Sequence, residues 1–150
     1  MSGLEGRITP DSFPENTWLG RLQLLLLGAL ITLITQSSSA GVATALTAVH
    51  SGALEFEQAA AMVIGMDVGT TATALFATLG GSAETRRTGY SHVVYNVFTG
   101  IAAFLMLLPY VALWQWWAPG AIYEQAEVAL VAFHSLFNLL GVILVVVLRR

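Results

Sequence analysis

The sequence has no cysteine and no lysine, and only 10% of its 150 residues are charged, so all six basic side chains are arginines. Without cysteine, disulfides and thiolate metal sites are excluded. Without lysine, a serine nucleophile has no amine to act as its base, and no G-x-S-x-G elbow is present either. A net charge of -3 argues against nucleic acid, which proteins bind through basic patches. Soluble domains usually carry about 25% charged residues; this chain falls far below that.

What is present is apolar surface: 56% hydrophobic residues and a mean hydropathy of +0.73. Residues 22–54 hold His50 as their one titratable group, and residues 58–83 hold one charge, Asp67. Residues 88–123 and 128–148 contain no acid and no arginine. Runs of about 20 apolar residues are long enough to cross a bilayer as helices. The fold class is therefore all-α integral membrane. Residues 1–20, with Glu5, Arg7, Asp11 and Glu15, form a polar N-terminal segment that does not read as a cleavable signal peptide. Residues 21–150 form the membrane domain.

The first hydrophobic block is interrupted by Gln36, Ser37, Ser38 and Ser39, followed by Gly41. Residues 22–35 number 14, about 21 Å of helix, short of the roughly 30 Å hydrocarbon core. A re-entrant hairpin fits: one helix enters part-way, turns at residues 36–41, and a second returns to about Ser51. Irregular backbone at membrane depth needs protein or a watery cavity to satisfy it, and Ser and Gln side chains help to do so.

The second block is interrupted by Gly65-Met66-Asp67-Val68-Gly69-Thr70-Thr71. Two readings fit. A helix broken here frees carbonyls and half-helix ends to face an ion; alternatively, Gly65 and Gly69 satisfy the G-x-x-x-G pattern of a close helix contact. The broken helix is the expectation, because an acid at this depth points to an ion site.

Residues 90–113 and 128–148 read as two full transmembrane helices, with Tyr110, Trp114, Trp116 and Trp117 as an interfacial belt. If the hairpin returns to its own side, three crossings remain. Arg86, Arg87, Arg149 and Arg150 then lie opposite Arg7 and Arg21, which directs the C-terminus to the cytoplasm. An internal echo joins the last two spans. His92 precedes Asn96 and His134 precedes Asn138 by four residues, with an aromatic residue between. Each pair shares a helix face, and both faces are expected to point into the protein as interhelical polar scaffold.

Taken together, these residues resemble the sodium-dependent phosphate cotransporter family (type II related). That family carries Q-S-S-S-A in a re-entrant hairpin, G-x-N-x-G-T-T in a broken helix, and helices with H-x-x-F-N. The same elements stand here, in order, from about Leu22 to Leu148. The family has two inverted repeats, each with its own Q-S-S-S. This chain has one and resembles the C-terminal half. It departs from the pattern at Gly41, where the family has threonine, and at Asp67, where it has asparagine.

The resemblance implies sodium-coupled symport of inorganic phosphate by alternating access, with Na+ as coupling ion and no other cofactor. Phosphate would take Gln36, Ser37, Ser38 and Ser39; sodium would take Ser38, Ser39, Asp67, Thr70 and Thr71. Hard cations prefer such oxygens, and a helix N-terminus after the turn suits an anion. The partners implied are phosphate, sodium, the lipid bilayer of the cell membrane, and a second repeat as a separate chain or a further copy. The alternative is a truncated or non-transporting protein that serves as a half-transporter partner or scaffold. An enzyme is not expected.

Overall fold

The computed structural model describes residues 12–148. Arg7, Arg149, Arg150 and most of the polar N-terminal segment lie outside them. The described residues form six helices: α1 (Trp18–Thr35), α2 (Ser38–His50), α3 (Phe56–Thr78), α4 (Ala83–Trp117), the short α5 (Ala121–Glu124) and α6 (Ala126–Leu148). The chain is an integral membrane protein. By length and composition α1, α3, α4 and α6 are apolar enough to cross a membrane, at about 1.5 Å per residue.

Side chains cap the starts of α1 and α2. Thr17 accepts from the Gly20 N–H at 3.1 Å and opens α1, so this helix has 18 residues rather than the 14 expected. Its end is Gln36, in the left-handed region at φ 54, whose N–H donates to the Thr32 carbonyl at 2.7 Å. Ser37 then caps α2 by accepting from the Ala40 N–H at 3.3 Å. The two helices are thus joined by a two-residue turn built from the polar cluster itself. At the start of α3 the Glu55 N–H donates to Gln58 Oε1 at 2.8 Å, half of a capping box.

The chain ends of this helical hairpin lie together. Asn16, just before α1, donates to Glu55 and to Glu57 (3.3 Å), and Gln58 Nε2 donates to the Pro14 carbonyl at 2.7 Å. From that shared end α1 and α3 run parallel, Leu25 meeting Gly65 and Ala29 meeting Gly69. α4 returns antiparallel, with Gly89 against Thr78 and Gly100 against Val68. α6 runs forward again, so Ala129 faces Tyr110 and Gly141 faces Tyr95.

α3 is the axis of this bundle, touching α1, α2, α4 and α6, and every residue from Phe56 to Met66 is buried. One end of the core is aromatic: Phe56 stacks on Tyr110 at 6.0 Å, and Tyr110 meets Phe133 at 5.1 Å. Such pairs contribute about 0.5–1.5 kcal/mol beyond their burial. The Tyr110 hydroxyl is satisfied by the Ala129 carbonyl at 3.0 Å.

The expected break in α3 is absent. The helix runs uninterrupted from Phe56 to Thr78. The physical reason is contact: a Cβ on Gly65 would overlap the Leu25 carbonyl, one on Gly69 would lie 2.5 Å from the Ala29 carbonyl, and one on Gly28 would overlap the Met62 carbonyl. The glycines let α1 lie directly on α3 without costing the helix its hydrogen bonds, as G-x-x-x-G faces do. α4 also differs from expectation. It begins at Ala83, before the arginines, and it includes Trp114, Trp116 and Trp117 in its last turn.

Candidate functional site

Both arms of the hairpin meet the second half of α3. On α1, the Thr32 side chain lies against Gly69, where an added Cβ would be 3.0 Å from the Thr32 Cβ. On α2, Gly41 sits over Met66, and a Cβ there would be 2.7 Å from the thioether sulfur. Gly41 thereby lets α2 close onto the residue next to Asp67. The residues on either side of the polar turn therefore pack on the glycine-flanked stretch.

Within the turn, Gln36 is exposed, Ser37 and Ser38 are half-buried, and Ser39 is exposed. Among the described residues Gln36 is the one non-glycine at positive φ. That conformation costs on the order of 1 kcal/mol for an L residue with no special preference for it. Ser38 and Ser39 occupy the first two positions of α2, where backbone N–H groups have no partner within the helix.

Asp67 is engaged from α6. His134 Nε2 donates to its carboxylate at 3.1 Å, and Asn138 Nδ2 donates to the same oxygen at 3.0 Å. The Asp67 and His134 side chains are 20% and 28% exposed, so the contact is largely shielded. The Phe137 ring, 5.3 Å from that of His134, packs beside it. Thr70 donates to the Asp67 carbonyl at 2.6 Å and Thr71 to the Val68 carbonyl at 2.7 Å. With their protons directed into the helix, both hydroxyls keep oxygen lone pairs for another ligand.

His92 and Asn96 are not part of this cluster. They bond to one another on α4 at 3.3 Å, and His92 is exposed. The expectation that both His/Asn faces point inward fails at His92. Gly89 and Gly100 turn α4 towards α3 along a neighbouring face, and among the described residues no helix covers the imidazole.

Two features escaped sequence reasoning. Glu57 is only 6% exposed, and it accepts from Tyr123 at 3.0 Å and from Asn16 at 3.3 Å. Burial and the Glu57 carboxylate together raise the Tyr123 pKa above the usual phenol range. These groups line a cleft of about 470 Å³ at the start of α3, bounded also by Glu55 and Val49, away from the hairpin turn. In the sequence Glu55 and Glu57 are boundary charges, and nothing marks one of them as buried. The second feature is Thr32, fully buried, whose hydroxyl has no hydrogen-bond partner among the described residues. Its signal was its place in the row Gly20, Leu24, Gly28, Thr32, four residues apart.

Among the described residues no three His, Cys, Asp or Glu side chains converge to hold a metal ion. The oxygens near Asp67 are hydroxyls and carbonyls, the kind of donor that hard cations prefer over transition metals.

Comparison with known proteins bears on the same segments. The profile of the Na+/Pi-cotransporter family matches residues 15–144. An uncharacterized protein of Bacillus subtilis, YqeW, is 36% identical over 84 residues, covering 56% of this chain and 27% of that protein. Sodium-dependent phosphate transport protein 2A of Ovis aries is 28% identical over 133 residues, covering 86% of this chain and 20% of that protein. Its counterpart in Rattus norvegicus is 31% identical over 108 residues, covering 69% and 17%. The matched stretch is thus about a quarter or less of these relatives' length. No solved structure matches. With nearly the whole membrane domain inside the matched region, the chain belongs to the Na+/Pi-cotransporter family.

Proposed function

We propose that the chain takes part in sodium-coupled transport of inorganic phosphate, by alternating access, within a two-repeat or oligomeric assembly. The observation that carries this reading is the meeting of the hairpin with α3, Thr32 against Gly69 and Gly41 against Met66, in a chain of this family. Gln36, Ser37, Ser38 and Ser39 are the proposed phosphate contacts. Gln36 held at φ 54 and the N–H groups opening α2 support that role, since helix N-termini favour anions. Ser38, Ser39, Thr70 and Thr71 are the proposed sodium oxygens. Asp67, already bonded to His134 and Asn138, adds negative charge beside them.

No arginine lies between residues 22 and 85, so phosphate has no guanidinium clamp there. Sodium supplies the compensating charge instead. Cation and anion then each lower the electrostatic cost of binding the other, and that linkage is reciprocal.

The hairpin is proposed to be re-entrant. Its two ends are tied through Asn16 and Glu55, and α2 has 13 residues, about 20 Å of helix against a core of about 30 Å. On this topology residues 21–150 are the membrane domain. Arg86 and Arg87 then face the cytoplasm, as does the C-terminus, in the cell membrane.

A second reading is a half-transporter, inactive until a partner repeat joins it. It is favoured by His92 and Asn138, exposed in a span where uncovered polar groups are costly. The test is labelled phosphate uptake by proteoliposomes holding the purified chain, with an inward sodium or potassium gradient. Sodium-dependent uptake, weakened by Ser38→Ala and by Thr70→Ala, is the expected result. Uptake seen only when a first Q-S-S-S repeat is co-reconstituted selects the half-transporter. Uptake indifferent to sodium in both preparations overturns the proposal.

A further inference from the structure

We infer that the Thr32 hydroxyl is a further sodium ligand, held at the α1–α3 crossing; this rests on the sodium-coupled reading above. Thr32 is completely buried, and its Oγ1 has no partner among the described residues. Seven other helical threonines behave differently. Thr44, Thr47, Thr70, Thr71, Thr78, Thr88 and Thr99 each return the hydroxyl proton to a carbonyl three or four residues back. Thr32 has such a carbonyl available on its own helix and does not use it. A buried hydroxyl left unmade is expensive, and a crossing selected only for close approach is better served by alanine.

The position narrows the ligand. Thr32 lies against Gly69, next in sequence to Thr70 and two residues from Thr71 and Asp67. It stands one turn before Gln36, whose N–H its own carbonyl accepts. Along the bodies of α1 and α3 the N–H groups are committed to the helical ladders. What the crossing still offers is oxygen lone pairs, from the hydroxyl and from carbonyls. Those recognise a hard cation, not an anion. Phosphate therefore belongs at the open end of α2, and Thr32 extends the adjoining cation's oxygen set inward, between α1 and α3.

The test is thermal unfolding of the purified full chain in detergent, in sodium chloride and in choline chloride at equal ionic strength. Wild type and Thr32→Ser are expected to gain thermal stability in sodium, and Thr32→Val to lose most of that gain. In choline chloride the Thr32→Val protein is expected to melt at or above the wild-type temperature, because valine keeps the shape and removes an unpaired hydroxyl. A lower melting temperature there would mean that the hydroxyl already has a partner, such as a water, and would overturn the inference. An equal sodium gain in wild type and Thr32→Val would also overturn it while leaving the sodium-coupled reading standing. No sodium gain in wild type would count against both.

Discussion

The two His-x-x-aromatic-Asn segments have the same spacing and opposite fates. On α6, His134 and Asn138 reach across to Asp67 at 3.1 and 3.0 Å. On α4, His92 and Asn96 bond only to each other, at 3.3 Å, with His92 exposed. The motif supplies a polar face; the helix opposite decides what that face does. Where α3 presents a carboxylate, the face becomes an interhelical tie. Where the described residues present no partner, it is left for a neighbour or for water.

The contrast can be broken most directly at its acceptor. Asp67→Ala removes the partner of both α6 donors, and thermal unfolding in detergent should show a loss of about 2–3 kcal/mol, the range for hydrogen bonds to a charged group. His134→Ala should cost less, about 1–2 kcal/mol, since Asn138 keeps its bond; interhelical polar contacts in membranes reach about this size. A double-mutant cycle between Asp67→Ala and His134→Ala should show coupling above about 0.5 kcal/mol, while the cycle with His92→Ala should be additive within that figure. Asp67→Asn, which keeps an acceptor oxygen and restores the asparagine the family carries there, should change stability by under about 1 kcal/mol and leave sodium-dependent phosphate uptake in place. The smallest effect should come from His92→Ala in the isolated chain, within about 0.5 kcal/mol, as for surface sites. A larger loss there would mean that the imidazole is covered in the working assembly.

The membrane class was legible because charge is excluded over long stretches, a property of composition that needs no tertiary information. The hairpin turn was legible for a similar reason: four consecutive hydrogen-bonding side chains inside an apolar block mark where the backbone leaves the helix. The continuity of α3 was not legible. Gly65 and Gly69 suit a break and a close contact equally well, and only the α1 backbone lying on them selects the second. Helix starts were partly concealed too. Thr17 before Trp18 is an ordinary cap, yet the polar residues around it masked the first turn of α1. Asp67 looked like a lone acid because its donors, His134 and Asn138, stand on a helix that begins almost sixty residues later.

The same reasoning separates the two ends of the bundle. The aromatic end around Phe56, Tyr110 and Phe133 is built for rigidity, with its rings in contact and the half-buried Tyr110 hydroxyl satisfied. The end near the hairpin turn carries a left-handed glutamine, paired threonines and an unpartnered hydroxyl. Ligand-binding regions are expected to combine such local strain with open hydrogen-bonding capacity.

The account depends on cation and anion sharing one site at the hairpin–α3 contact. Calorimetric titration of the purified chain with phosphate, at rising sodium, measures that linkage. The prediction is that sodium tightens phosphate binding and that phosphate tightens sodium binding by the same factor. Phosphate affinity that stays constant as potassium is replaced by sodium would contradict it.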